Sequence, residues 1–142
     1  MIILDTDCLS VFEREKHRDS ILRANLAHFD SEDISTTIIT YEEQMRGWMA
    51  FLSKAKNIDQ QIIAYLRINQ FLENYRKINV FPFDEKAALI YQDLKVKKIR
   101  VGTMDLKIAA IVIANDALLI SRNLGDFERV PNLNVRDWTK VG

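Results

Sequence analysis

Ile2-Ile3-Leu4-Asp5 is a short apolar run closed by an acid, and its reading decides the fold. Three large aliphatic residues in succession leave no polar face, as in a strand covered on both sides in a parallel sheet. Similar punctuation recurs downstream. Ile34-Ser35-Thr36-Thr37-Ile38-Ile39 is rich in β-branched residues and predicts a second strand. Val80-Phe81-Pro82-Phe83 predicts a short strand closed by proline, Ala117 to Ile120 another, and Val135 lies in a short last one.

Helical spacing fills the intervals. Asp7 is placed to cap a helix carrying Leu9, Val11 and Phe12. Asp19 to Phe29 puts Ile21, Leu22, Leu26 and Phe29 on one stripe, and Asp30-Ser31-Glu32-Asp33 breaks it. Thr40 and Glu43 have capping-box spacing at the head of a helix running to about Ser53. Ile58 to Lys77 predicts a longer helix with Ile62, Tyr65, Leu66, Phe71 and Tyr75 facing the core, and Asp84 to Lys97 a further one. From Thr103, the residues Leu106, Ile108, Ala109, Ala110, Ile111, Ile113 and Ala114 make a helix apolar around most of its surface, which belongs mid-domain. Strands alternating with helices predict an α/β fold with a central, mainly parallel sheet flanked by helices.

The chain has 142 residues, 48% of them hydrophobic, which suits one domain over 1–142 with a substantial core. Its apolar runs are too short to span a bilayer, and Met1-Ile2-Ile3-Leu4 carries no basic leader, so a cytoplasmic, non-membrane protein is expected. The lone Cys8 excludes an intrachain disulfide and reads as a small buried hydrophobe. Twenty basic residues balance twenty acidic ones, so no global field steers the chain onto nucleic acid and RNA binding would rest on local basic patches.

Four acids stand at expected strand ends or helix starts, where parallel α/β sheets place their chemistry: Asp5, Glu43, Asp105 and Asp126. Singly, Asp126 says little, Asp5 is less easily dismissed because it extends an apolar strand, and Glu43 and Asp105 are explained by the preference of acids for helix N-termini. Together the four are not so explained. Like charges about 4 Å apart repel by about 4 kcal/mol per pair at an effective dielectric near 20, so a cluster needs bases, protons or a divalent cation. Oxygen-only donors suit Mg²⁺ or Mn²⁺ and not zinc. Ions so held can activate water and neutralise a phosphodiester. His17 and His28 stand apart from these acids in sequence and read as ordinary surface or helix residues.

The segments Ile2-Ile3-Leu4-Asp5-Thr6-Asp7, Thr40-Tyr41-Glu42-Glu43-Gln44-Met45-Arg46-Gly47, Gly102-Thr103-Met104-Asp105-Leu106-Lys107-Ile108-Ala109-Ala110 and Ser121-Arg122-Asn123-Leu124-Gly125-Asp126-Phe127-Glu128-Arg129-Val130-Pro131-Asn132-Leu133 resemble, in order and spacing, the successive motifs of PIN domains of the VapC kind. The resemblance covers essentially the whole chain, although Phe51 to Ile78 carries no signature. It implies a PIN-like three-layer sandwich and a quartet of Asp5, Glu43, Asp105 and Asp126 binding Mg²⁺ or Mn²⁺, with Thr6, Asp7 and Asn123 lining the site. It implies endoribonuclease activity on structured RNA such as tRNA or rRNA, the toxin role in a toxin–antitoxin pair, a homodimer, and a VapB-like antitoxin that occludes the site. One position departs from the pattern: Asp7 stands where the family commonly has Asn.

Arg46, Lys54, Lys56 and the Lys95 to Arg100 run are candidates for phosphate contact, with Lys97, Lys98 and Arg100 foremost because they lead into the Asp105 segment. A solvated helix end accounts for them equally well. Two other functions fit parts of the sequence. Leu4-Asp5-Thr6-Asp7 also matches the Asp-x-Asp of haloacid-dehalogenase-like phosphatases, with Asp5 as nucleophile and Asp7 as acid–base. A catalytically silent PIN-like binding module is the third reading.

Overall fold

The computed structural model describes residues 1–14 and 20–141. Its strands are β1 (Ile2–Leu4), β2 (Ile34–Thr37), β3 (Asn79–Phe81), β4 (Leu118–Ile120) and β5 (Val135–Arg136). The helices are α1 (Thr6–Arg14), α2 (Ile21–Leu26), α3 (Ile38–Ser53), α4 (Ile58–Tyr75), α5 (Glu85–Val96), α6 (Thr103–Ala114) and the single-turn α7 (Leu124–Phe127). The strands form one sheet in the order β3-β2-β1-β4-β5, and every pairing is parallel.

Alternation along the short strands separates two apolar layers. Ile3 and Leu119 point into the layer built with α5 and α6, alongside Ala87, Leu94, Ile108, Ile111 and Val112. Ile2, Leu4 and Ile120 point the other way, onto Leu9, Val11, Leu22 and Leu26 of α1 and α2. Helix α6 is enclosed as its composition requires, with Ile108 to Val112 all fully buried. Buried on both faces, β1 is apolar along its whole length. That is why an acid directly after Leu4 marks the sheet's carboxyl edge.

Several local expectations need correction. The second strand stops at Thr37, and Ile38 and Ile39 already belong to α3. Thr37, not Thr40, is the N-cap: its hydroxyl accepts the Thr40 amide at 3.1 Å, so no Thr40–Glu43 capping box forms. Asp5, not Asp7, caps α1, its Oδ1 accepting the Cys8 amide at 2.8 Å. On α4, Ala64 and Phe71 are buried, whereas Ile62, Tyr65 and Leu66 are exposed. Helix α2 is shorter than its stripe, and the Asp19 start and His17 lie outside the described residues. Cys8 is fully buried, as expected of a small hydrophobe.

The Thr37 cap yields a direct expectation. Thr37→Val preserves shape but strands the Thr40 amide in a fully buried position, so it lowers stability by about 1 kcal/mol. Urea unfolding checks this; an unaltered midpoint would show that the cap contributes nothing.

Candidate active site

The chain runs outward from β1 through β2 to β3, then returns to build β4 and β5 on the other side of β1. The direction reverses between β1 and β4, and a crevice opens at the carboxyl ends of strands beside such a reversal. Asp5 follows β1 there, and the Ser121 to Asp126 segment follows β4. The Asp5 amide donates to the Ile120 carbonyl at 3.2 Å, joining the two strand ends.

Asp5 is buried, and that burial raises its carboxyl above the usual range, opposed by hydrogen bonds from Ser121 and Cys8. Glu43 arrives from the second turn of α3, where its Oε1 accepts the Thr6 hydroxyl at 2.6 Å. That hydroxyl also lies 3.1 Å from the Thr40 hydroxyl, so Thr6 ties α1 to α3. Asp105, in the first turn of α6, is half-buried and pushed up to about 6, first by burial and then by the charges of Glu43, Asp5 and Asp126. Asp126 sits on α7, where its Oδ2 accepts the Asn123 side-chain amide at 3.0 Å. Asn123 also hydrogen-bonds Asp105, which opposes the rise.

The four acids therefore converge from four elements on Asp105, which feels the charge of the other three. Among the described residues, no three acids, histidines or cysteines yet stand at ligating spacing. The donor set is nonetheless oxygen-only, and the like charge that helps to raise Asp105 is what a hard divalent ion would relieve.

The other sequence candidates divide. Arg46 lies along α3, paired with Glu42 at 2.5 Å. Lys97 pairs with Asp93 at 2.9 Å, and Lys98 and Arg100 are exposed beyond the end of α5. Asp7 does not add its charge to the cluster freely, because Arg122 binds it through Nε and Nη2 at 2.6 and 2.7 Å and holds its carboxyl below the usual range. So held, Asp7 does not stand as the acid–base partner that the phosphatase reading requires.

Three neighbours within the last motif carry no role assigned from the sequence. Ser121, fully buried, reaches Asp5. Arg122 takes up Asp7. Arg129 bridges the Arg100 carbonyl at 3.0 Å and Asp126 Oδ1 at 3.3 Å. The three-residue spacing of Asp126 and Arg129 on a helical turn could have flagged the last; nothing local signals the other two.

The PIN domain family matches residues 2–133. The chain belongs to the PIN-domain family. Over 142 residues it is 28% identical to Ribonuclease VapC2 of Rickettsia felis, spanning 97% of this chain and 98% of that protein. It is 30% identical to Ribonuclease VapC1 of Haemophilus influenzae strain R2866, over 88% of this chain and 90% of the relative. The solved structure of VapBC-1 from nontypeable Haemophilus influenzae superposes with a TM-score of 0.75 at 25% identity, over 99% of this chain and 100% of that one. This chain is thus a PIN domain of the VapC type, and its all-parallel sheet with helices on both faces is the architecture that the resemblance implied.

Proposed function

We propose that this PIN domain is a divalent-metal-dependent endoribonuclease and the toxin of a toxin–antitoxin pair. The convergence of Asp5, Glu43, Asp105 and Asp126 at the strand-order reversal carries this reading. The VapC ribonucleases among its relatives support it. A binding module would have no use for mutually repelling carboxylates, which counts against the silent alternative.

Asp5, Glu43, Asp105 and Asp126 would hold Mg²⁺ or Mn²⁺, which when bound supplies an activated water and charge neutralisation at the phosphodiester. The chain's own groups do the positioning. Thr6 orients Glu43, Asn123 bridges Asp105 and Asp126, and Ser121 orients Asp5. Asp105 must lose its proton to take part, so activity rises with pH through about 6 in the limit of weak metal binding.

The substrate is structured RNA, of the tRNA or rRNA kind, reached in the cytoplasm. The likeness to VapBC-1 supports a VapB-like antitoxin that covers the site. Ile58, Ile62, Ile63, Tyr65 and Leu66 stand exposed on α4, apolar surface that favours assembly with another chain, including a second copy in a homodimer. No described helix is long and apolar enough to cross a membrane.

Lys97, Lys98 and Arg100 contact phosphate in this reading, with Arg46 as a lesser contributor. Replacing Lys97, Lys98 and Arg100 with Gln lowers RNA affinity and flattens its log–log salt dependence by up to about three slope units. Fluorescence anisotropy at graded salt measures both. Unaltered affinity and slope would reduce the patch to a solvated helix end.

A further inference from the structure

Asp126 rides on α7, a four-residue helix of a single turn, and one isolated turn does not hold its own shape. Phe127, fully buried, pins the far end of that turn in the core. The near end hangs from Ser121, Arg122 and Asn123, the three residues that separate it from β4. Each of the first two is tied to the start of α1. Ser121 hydrogen-bonds the Asp5 carboxylate, and the Arg122 amide is directed at the Cys8 sulfur. The Arg122 side chain completes the seam with its two-bond grip on Asp7, across 115 residues of sequence. The next residue, Asn123, then donates to Asp126 at 3.0 Å.

Both side chains of the pair are about half exposed, at 46% and 50%. Ion pairs so exposed contribute little to stability. Their geometry, by contrast, is demanding: a planar guanidinium met by two carboxylate oxygens fixes orientation as well as distance.

We propose that Asp7 and Arg122 are a positioning pair whose two-bond contact holds the Ser121 to Asn123 loop, and through it Asp126, against the turn that carries Asp5. This rests on the endoribonuclease reading for its catalytic consequence, not for its structural one.

The test uses the full chain with Asp7→Ala, Arg122→Ala, the double variant and Asp7→Asn. Cleavage kinetics on RNA, Mn²⁺ titration calorimetry without RNA, and hydrogen exchange of the Phe127 and Glu128 amides, which bond to Asn123 and Leu124 carbonyls, are measured on each. Each single Ala variant lowers kcat about tenfold with KM little altered, and weakens Mn²⁺ binding to a similar degree, as loss of an outer-shell partner does. The double variant loses no more than either single one, because the two act as a unit. Asp7→Asn keeps one acceptor for Arg122 and restores most of the loss. Amide exchange at Phe127 and Glu128 quickens in both Ala variants.

A raised KM for Arg122→Ala, with kcat and Mn²⁺ affinity intact, would make Arg122 a substrate contact and overturn the proposal. So would losses that multiply in the double variant, or exchange rates that do not move. If the wild type cleaves no RNA and binds no Mn²⁺, the functional reading fails, while the exchange rates still decide the pair.

Discussion

Asp105→Asn and Asp5→Asn each reduce RNA cleavage by at least about a thousandfold, equivalent to about 4 kcal/mol of activation barrier. Asn keeps the size of Asp and, at position 5, an oxygen able to accept the Cys8 amide that caps α1, so both proteins fold. What goes is the negative charge on the buried Asp5 and on Asp105, the acid on which the other three act. Initial rates on a fixed RNA substrate, with circular dichroism as the control, measure the effect. Retention of a tenth or more of wild-type activity in either variant would remove that acid from the chemistry. Thr6→Val tests the layer behind them: it deprives Glu43 of its 2.6 Å hydrogen bond and lowers activity about tenfold to a hundredfold.

The same substitution at Asp105 raises the stability of the metal-free protein. The unfolded chain protonates Asp105 near the usual 3.8, whereas the fold holds a proton there up to about 6. Between those values the native state binds more protons, so its stability falls as pH rises and remains reduced above 6. The full shift would correspond to about 3 kcal/mol, which half-exposure cuts to about 1–2 kcal/mol. Asp105→Asn carries no such penalty and melts several degrees above wild type at pH 7.5 in EDTA, with the gap closing toward pH 4. Excess Mg²⁺ closes it at pH 7.5 too, by stabilising only the chain that retains its ligand. Scanning calorimetry across that pH range decides it; a variant less stable than wild type in EDTA would show that the acids are not in repulsion.

Much of the fold was legible because burial on both faces leaves an unmistakable mark. Ile2-Ile3-Leu4 and the apolar run of α6 have no solvated side, so their places at the centre followed from composition. The acids at the strand ends were legible for the same reason: Asp5 breaks a run that has no room for it. The Thr36 to Thr40 segment was harder. β-branched residues favour a strand, yet a Thr side chain can also cap a helix, and Thr37 does so, turning Ile38 and Ile39 into the first turn of α3. Periodicity on α4 identified an apolar face without revealing what covers it, which is why Ile62, Tyr65 and Leu66 proved exposed. Arg122 was beyond reach of local pattern. Its partner is 115 residues away, and only the β1–β4 pairing brings the two together.

The most direct test of the central claim is cleavage of total cellular RNA by the purified chain, mapped by end sequencing, with Mg²⁺, with Mn²⁺ and with EDTA. Discrete new ends that require metal and vanish in EDTA are expected. Cleavage that persists undiminished in EDTA, or no new ends with either metal while small phosphate esters are hydrolysed, would contradict it.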